Sequence, residues 1–153
     1  MRIILVSDSH GNRDSLEKLI ENEKFDYLFF LGDGLNDLGI YSNMENIIVV
    51  SGNCDFFSVE PNERIMKIDK YMVLATHGNR YSVKSGLSNI KEKAESEGVD
   101  FVFFGHTHKP TIELINNIYY INPGTFHKDS YGESNYMEVI ISGNDIKINS
   151  LRV

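Results

Sequence analysis

The sequence contains only one cysteine, Cys54, which excludes a disulfide bond within the chain. Small secreted domains depend on several such bonds, so we expect a reducing compartment. The sequence also lacks any apolar run near the roughly 20 residues that cross a bilayer. The apolar run after Arg2 ends at Val6, and it is too short for the apolar region of a signal peptide. We therefore expect a soluble cytoplasmic protein without a membrane partner.

Basic residues are also scarce, because 15 Lys and Arg stand against 22 Asp and Glu and give a net charge of −7. Non-specific binding to nucleic acid needs a basic surface, so long nucleic acid is disfavoured as a partner. Bound divalent cations would weaken this argument, since they would add positive charge locally. Hydrophobic residues make up 41% of the chain, which excludes disorder. The length predicts one domain over residues 1–153.

Short apolar runs followed by polar turns recur along the first half of the chain. They predict strands at Ile3–Val6, Tyr27–Leu31 and Ile47–Val50. A helical pattern begins after Asn12, and a weaker one covers Leu35–Tyr41. This alternation is typical of buried parallel strands joined by crossover helices.

The second half is richer in strands. A hairpin is predicted from Arg64–Ile68 and Met72–Ala75, followed by a helix over Ser85–Ser96 and a strand at Phe101–Phe104. The rest of the chain predicts four more strands, at Thr111–Ile115, Ile118–Ile121, Tyr136–Ile141 and Asp145–Leu151. The fold class is therefore α/β.

Five of the apolar strands are followed directly by a polar motif. In open α/β sheets ligands bind beyond the carboxyl ends of the strands, so we expect these motifs to meet. They contain four of the five histidines of the chain. The motifs are Asp8-Ser9-His10, Gly32-Asp33-Gly34, Gly52-Asn53-Cys54-Asp55, Thr76-His77-Gly78-Asn79 and Gly105-His106-Thr107-His108.

The spacing within two of these motifs suggests chelation. Asp8 and His10 are separated by one residue, as are His106 and His108. In extended backbone, side chains at positions i and i+2 point to the same side. We therefore expect each pair to bind one ion.

The donors are carboxylates, imidazoles and an amide, which suit Mn, Fe, Zn, Co or Ni better than a structural thiolate zinc site or a calcium site. They exceed the needs of one ion, so we predict two divalent ions that share a carboxylate, with Asp33 as the bridge. Two such ions clamp a phosphate ester and ionise a bridging water near neutral pH. The predicted ligands are Asp8, His10, Asp33, Asn53, His77, His106 and His108.

The motifs D-x-H, G-D, G-N, H-G and G-H-x-H, in this order, resemble those of the calcineurin-like metallophosphoesterase superfamily. Asn122-Pro123-Gly124-Thr125 is similar to a turn of that family. The short length and the GNCD form resemble its small bacterial and archaeal phosphodiesterase branch. The resemblance implies a four-layer α/β/β/α sandwich of two packed mixed sheets flanked by helices, and manganese as the usual activating ion.

The same resemblance divides the ligands between two ions. It implies Asp8, His10, Asp33 and His108 for the first metal. It implies Asp33, Asn53, His77 and His106 for the second.

The candidate catalytic residues are Asn53, Cys54, Asp55 and His77. Many members of the family have His where Cys54 stands, and that His is thought to protonate the leaving group or hold phosphate. A thiol can donate a proton but does not become cationic, so we expect weaker activity on poor leaving groups. Alternatively, Cys54 only fills space. Asp55 is either an acceptor for a metal-bound histidine or a turn cap. His127 is a further candidate at the edge of the cleft.

A metal-dependent phosphodiesterase is the leading hypothesis, acting on a small phosphodiester or nucleotide-like substrate. The alternatives are a phosphomonoesterase or nucleotide hydrolase, and a non-catalytic protein-interaction scaffold like the retromer subunit of this superfamily. The intact ligands disfavour the scaffold. We expect loops 35–45, 56–62 and 126–135 to set specificity, and a homo-oligomer is left open.

Overall fold

The computed structural model describes residues 1–128 and 133–153. Residues 129–132, which belong to the predicted specificity loop 126–135, lie outside the described residues. The described strands are β1 (Arg2–Val6), β2 (Tyr27–Phe30), β3 (Ile47–Val49), β4 (Glu63–Ile68), β5 (Tyr71–Thr76), β6 (Phe101–Phe103), β7 (Thr111–Ile115), β8 (Ile118–Asn122), β9 (Asn135–Ser142) and β10 (Asp145–Arg152). The described α-helices are α1 (Arg13–Asn22), α2 (Leu35–Leu38) and α3 (Ser88–Glu97).

These strands form two mixed sheets. The first has the order β10-β9-β1-β2-β3, in which β1, β2 and β3 run parallel and β9 lies antiparallel to β1. The second has the order β4-β5-β6-β8-β7, with a parallel centre of β5, β6 and β8 and antiparallel outer strands. The predicted pair of mixed sheets is therefore confirmed.

Alternate residues of β1 face two different cores. Ile3 and Leu5 pack in the core between the two sheets, whereas Ile4 and Val6 pack in the core that also contains Leu16 of α1. Because both faces of β1 are covered, every residue from Ile3 to Val6 is apolar. Helix α1 thus forms an outer layer on the first sheet.

Helix α3 covers the outer face of the second sheet in the same way. Ile90 and Ala94 pack in one core with Leu74 of β5 and with Val102 and Phe104, which lie on and just after β6. The layers are therefore helix, sheet, sheet and helix, as predicted. None of the described helices is both long and apolar enough to cross a membrane.

Two predicted helices are shorter than the sequence pattern suggested, and a glycine interrupts each one. Gly39 has φ 52°, so α2 ends at Leu38 and a 3-10 helix continues over Gly39–Asn43. Gly86 has φ 130°, so the predicted helix over Ser85–Ser96 begins only at Ser88. Such angles lie outside the right-handed helical region.

Candidate metal centre

The polar motifs from the two sheets meet at one edge of the molecule, where backbone hydrogen bonds join them. The N–H of Asp8 donates to the carbonyl oxygen of Gly32 at 2.9 Å, which links the motifs after β1 and β2. The N–H of Gly105 donates to the carbonyl oxygen of His77 at 3.0 Å, which links those after β5 and β6. The N–H of His106 donates to Asp8 Oδ2 at 3.1 Å and so connects the sheets.

The backbone conformation of these motifs differs from the prediction. Five of the predicted ligands have positive φ angles, so the expectation of extended backbone was wrong. A left-handed residue costs roughly 1–2 kcal/mol when it carries a side chain, and such residues concentrate at functional sites. The five φ angles are 56° at Asp8, 40° at His10, 59° at Asp33, 67° at His106 and 60° at His108.

This backbone conformation separates the side chains of the second predicted pair, His106 and His108. The donor atoms of Asp8, His10 and His108 lie within 4.8 Å of one another, and the donor atoms of Asp33, His77 and His106 form another such group. His106 and His108 therefore belong to different groups, contrary to the expectation that this pair binds one ion. The division implied by the family resemblance likewise places His108 with Asp8 and His10, and His106 with Asp33 and His77.

The first group surrounds a buried carboxylate oxygen. Asp8 is fully buried, and its Oδ1 has no hydrogen-bond partner among the described residues. His108 Nε2 lies 3.0 Å from this oxygen, and His10 Nε2 lies 3.7 Å from it. The other oxygen, Oδ2, accepts a hydrogen bond from Ser7 Oγ at 2.5 Å. A buried anionic oxygen that faces imidazole nitrogens without a proper donor fits a bound cation.

The second group is organised by a buried histidine. His77 Nδ1 lies 2.7 Å from the carbonyl oxygen of Leu31. Because a carbonyl can only accept, Nδ1 carries the proton, and the lone pair of a neutral His77 lies on Nε2. This Nε2 lies 3.3 Å from Asp33 Oδ2 and 3.2 Å from His106 Nδ1. Three electron-rich atoms therefore converge, which also fits a cation.

The pKa shifts of the metal-free chain reflect this crowding. Burial alone would raise the pKa of Asp8, but the neighbouring imidazoles of His10 and His108 outweigh it and hold that pKa well below its usual range. Burial would lower the pKa of His77, but the Asp33 carboxylate outweighs it and raises that pKa. Burial and the charge of His77 lower the pKa of His106. A proton on His77 thus supplies part of the positive charge that a metal would bring.

Asp33 belongs to the second group and also lies close to His10 of the first. The donor atoms of His10, Asp33 and Cys54 also lie within 4.8 Å of one another. Asp33 Oδ1 accepts a hydrogen bond from the N–H of Cys54 at 2.7 Å. A Cβ atom added to Gly52 would lie 2.1 Å from this same Oδ1, so the close approach requires glycine at position 52.

Asp55 supports the site through the backbone. Its carboxylate accepts hydrogen bonds from the N–H groups of Asp33, Gly34, Leu35 and Gly52 at 2.7–2.9 Å. No histidine is among its hydrogen-bond partners in the described part of the chain. Its geometry therefore matches the turn-cap alternative and not the alternative of an acceptor for a metal-bound histidine, and it holds the backbone at Asp33.

Asn53 and Cys54 lie on the open side of the site, where both side chains are exposed. Asn53 Nδ2 donates to Cys54 Sγ at 3.3 Å. Desolvation of the thiol, together with the Asp33 carboxylate, raises the pKa of Cys54 to about 11. The thiol is therefore protonated at neutral pH. His127 lies nearby, with its ring centre 6.4 Å from that of His10.

One residue that supports the first motif, Asp37, was not among the predicted site residues. The buried carboxylate of Asp37, in α2, accepts hydrogen bonds from Ser9 Oγ at 2.5 Å and from the N–H of Gly11 at 2.8 Å. These bonds brace the backbone on both sides of His10. Nothing in the sequence distinguishes Asp37 from an acidic residue on the surface of a short helix.

The similarities to known proteins agree with this architecture. The chain is 30% identical to the Bacillus subtilis protein named "Probable metallophosphoesterase YsnB", over 82% of this chain and 75% of that one. It is 28% identical to "Phosphodiesterase MJ0936" of Methanocaldococcus jannaschii, over 81% and 83% of the two chains. A crystal structure of a predicted phosphoesterase from Streptococcus pneumoniae superposes with a TM-score of 0.89 at 28% identity, covering 99% of this chain and 88% of that chain.

The family is shown by a match that extends over most of the chain. Residues 1–143 match the calcineurin-like phosphoesterase superfamily domain, which confirms the predicted family and the predicted class of enzyme, a phosphoric ester hydrolase. With two mixed sheets, flanking helices and donor groups that can hold a metal, the chain belongs to the calcineurin-like phosphoesterase superfamily.

Proposed function

We propose that this protein is a phosphodiesterase that uses two divalent metal ions. The observation that carries the proposal is the separation of the donors into two groups. Asp8, His10 and His108, with Asp33, would hold the first ion. His77 and His106, with Asn53 and the shared Asp33, would hold the second.

When bound, the two ions would supply Lewis acidity at the phosphate and a water whose pKa is lowered to near 7. The residues of the chain fix where this chemistry takes place. The Leu31 carbonyl holds the His77 ring so that Nε2 faces Asp33. The N–H of Cys54 holds one oxygen of Asp33 and leaves the other toward His77. The ligands are thus oriented before any ion arrives, which lowers the cost of binding.

Cys54 is the candidate proton donor in this proposal. Its thiol is exposed, and in the metal-free chain it keeps its proton at neutral pH because its pKa is raised to about 11. The neutral thiol would give its proton to the leaving oxygen as the bond to phosphorus breaks. It attracts the phosphate less than a cationic histidine would. The expected preference is therefore for good leaving groups.

Two clefts beside the donor groups favour a diester over a monoester. One has a volume of about 390 Å³ and is bordered by Cys54. The other, of about 490 Å³, is bordered by His10, His127 and Lys128. A phosphodiester has two substituents and can place one in each cleft, whereas a monoester fills only one. The name of the M. jannaschii relative supports the same preference.

Manganese is the expected activating ion, and Ni, Zn, Fe and Co fit the same donors. A cytoplasmic location and a single domain over residues 1–153 are also predictions. The complete donor set is the reason to prefer an enzyme over an interaction scaffold.

The test is to strip the protein of metal and to restore Mn, Ni, Zn or Mg in turn. Hydrolysis of bis(4-nitrophenyl) phosphate and of 4-nitrophenyl phosphate is then measured under each condition. We expect metal-dependent turnover with the diester favoured. Turnover of neither ester with any ion would reject the function, and a preference for the monoester would reject the diester assignment.

A further inference from the structure

The loop that follows Cys54 exposes three apolar side chains. Phe57 is fully exposed, Phe56 is 79% exposed, and Val59 is almost as exposed as Phe57. We call residues 55–60 the phenylalanine loop. Removal of such side chains from water is a main source of folding free energy. A contiguous patch of solvent-exposed apolar side chains is typical of an interaction surface or a ligand-binding groove.

The backbone of this loop is unfavourable for the residue that it carries. The N–H of Ser58 donates to the carbonyl oxygen of Asp55 at 3.3 Å and closes a turn. Phe57 occupies the third position of this turn with φ 63°. Glycine or asparagine is the usual residue there. Neither the core nor the turn therefore accounts for a phenylalanine at position 57.

Both ends of the phenylalanine loop are held firmly. Asp55 is tied by its carboxylate to the backbone around Asp33. At the other end, Ser51 Oγ donates to the carbonyl oxygen of Glu60 at 3.0 Å. The backbone N–H of Ser51 donates to the carbonyl oxygen of Pro61 at 2.9 Å. The exposed aromatic side chains are therefore carried by a loop whose two ends are fixed by hydrogen bonds.

A cleft of about 390 Å³ lies between this loop and α2, and Leu35 and Leu38 are on its far side. Its volume is within the range of small-molecule sites. Cys54 lines the cleft and also lies in the donor group with His10 and Asp33. The cleft therefore opens onto the candidate metal centre.

The charges that line the cleft are already paired. The Asp55 carboxylate is occupied by backbone N–H groups, and Glu60 forms a salt bridge with Arg64 at 2.8 Å. The remaining polar side chains of the lining, such as Asn36 and Ser42, are neutral, and no Lys, Arg or His lines the cleft in the described part of the chain. This environment suits an uncharged group and does not suit a second phosphate.

We propose that this cleft holds an uncharged planar aromatic ring of the substrate, a nucleobase or an aryl group, against Phe56 and Phe57. The inference rests on the proposed phosphodiesterase function and names one of the two ester substituents. Aromatic side chains bind flat rings through stacking, without a specific pattern of hydrogen bonds. The cleft thus places the ring beside Cys54.

The kinetic test uses the metal-loaded enzyme and two esters with the same leaving group, thymidine 5′-(4-nitrophenyl phosphate) and ethyl 4-nitrophenyl phosphate. We expect Phe56→Ala and Phe57→Ala each to lower the ratio of kcat/KM for the thymidine ester over the ethyl ester by about tenfold. An equal rise of KM for both esters would identify the ring as the nitrophenyl group. Unchanged KM values for both esters would overturn the proposal.

Leu114→Ala is the matched control, because Leu114 is an exposed apolar residue of β7 outside this cleft. This variant should leave both esters unaffected. A loss of selectivity equal to that of Phe57→Ala would overturn the proposal, since any exposed apolar residue would then have the same effect. Circular dichroism of each variant checks the fold.

A binding test on the metal-free protein separates this inference from the proposed function. Thymidine, with ribose as the control, is titrated into isotope-labelled protein, and backbone amide shifts are recorded. We expect thymidine alone to shift the amides of residues 54–60, and Phe57→Ala to abolish the shift. Shifts elsewhere, or none, together with unchanged KM values would reject the aromatic cleft even if the enzyme is active.

The loop could instead join two copies of the chain, and sedimentation tests this alternative. The aromatic cleft requires that the wild-type protein and Phe57→Ala have the same mass in solution. A dimer that becomes a monomer in Phe57→Ala, with unchanged KM values, would assign the loop to self-association and overturn the proposal.

Discussion

His77 Nδ1 donates a hydrogen bond to the carbonyl oxygen of Leu31 over 2.7 Å, between residues 46 positions apart in the chain. Leu31 follows β2 in the first sheet, and His77 follows β5 in the second. The bond therefore joins the sheets and determines which histidine nitrogen faces Asp33 and His106. The position of a candidate metal ligand and the packing of the two sheets are coupled in this way.

Replacement of His77 by Ala should lower phosphodiester turnover by more than about 100-fold. Loss of a residue that only hydrogen-bonds to a metal ligand typically costs about 10- to 100-fold, and loss of a ligand itself should cost more. His106→Ala, which removes a less buried member of the same donor group, should have a similar effect. Each of the two variants should bind one ion per chain where the wild-type protein binds two. The measurement is turnover together with metal content per chain. Full turnover in both variants would show that the second group holds no catalytic ion.

Replacement of Asp55 by Asn should destabilise the protein and weaken metal binding. An amide cannot accept all the hydrogen bonds that the carboxylate accepts from the turn around Asp33. We expect a loss of about 2 kcal/mol in the free energy of unfolding. We also expect a loss of 10- to 100-fold in metal affinity, the usual effect of disturbing a residue that positions a ligand.

Asp69→Asn is the control for Asp55→Asn, because Asp69 lies in the exposed β4–β5 turn at φ 54°, which asparagine tolerates. Urea unfolding and metal titration should leave this variant unchanged. Wild-type stability and affinity in Asp55→Asn would contradict the positioning role of Asp55.

In the metal-free protein, Cys54 should react more slowly with alkylating agents than a free thiol does, and its reactivity should increase up to a higher pH. Its pKa is raised to about 11, so a smaller fraction is thiolate at any pH below that value. Since the thiolate is the reactive form, alkylation by iodoacetamide at pH 8 should be roughly 100-fold slower than for a free thiol. The rate should rise until about pH 11. Cys54 is the only cysteine, so the rate is unambiguous. A rate equal to that of glutathione would contradict the raised pKa.

Replacement of Cys54 by His should increase the hydrolysis of esters with poor leaving groups. A protonated imidazole is a stronger acid than this thiol and attracts the phosphate. We expect a gain of roughly 10- to 100-fold for an alkyl leaving group relative to 4-nitrophenolate. Cys54→Ser keeps the size without adding charge and should show no gain. An equal response of both esters to Cys54→His would assign Cys54 to space filling.

The residues that form the candidate donor groups could be predicted from the sequence because they depend on residue type, order and position after apolar strands. Their geometry could not. The rule for positions i and i+2 assumes extended backbone, whereas His106 and His108 both adopt positive φ and separate into different groups. Side-chain hydrogen bonds from distant residues, such as the bond of Asn122 Nδ2 to the Gly105 carbonyl oxygen at 2.7 Å, hold these turns.

The same distinction holds for the fold. The strands were predictable because each has an apolar pattern of its own. The return of β9 to pair with β1, with Val139 opposite Ile3, depends on contacts between chain ends and has no local signal.

The central claim is that two ions bind between the two sheets, and metal-specific anomalous scattering from a crystal soaked in Mn²⁺ tests it most directly. The account predicts two peaks, one among Asp8, His10 and His108 and the other among Asp33, His77 and His106, about 3.5–4 Å apart. A single peak, or no peak within reach of these side chains, would contradict it.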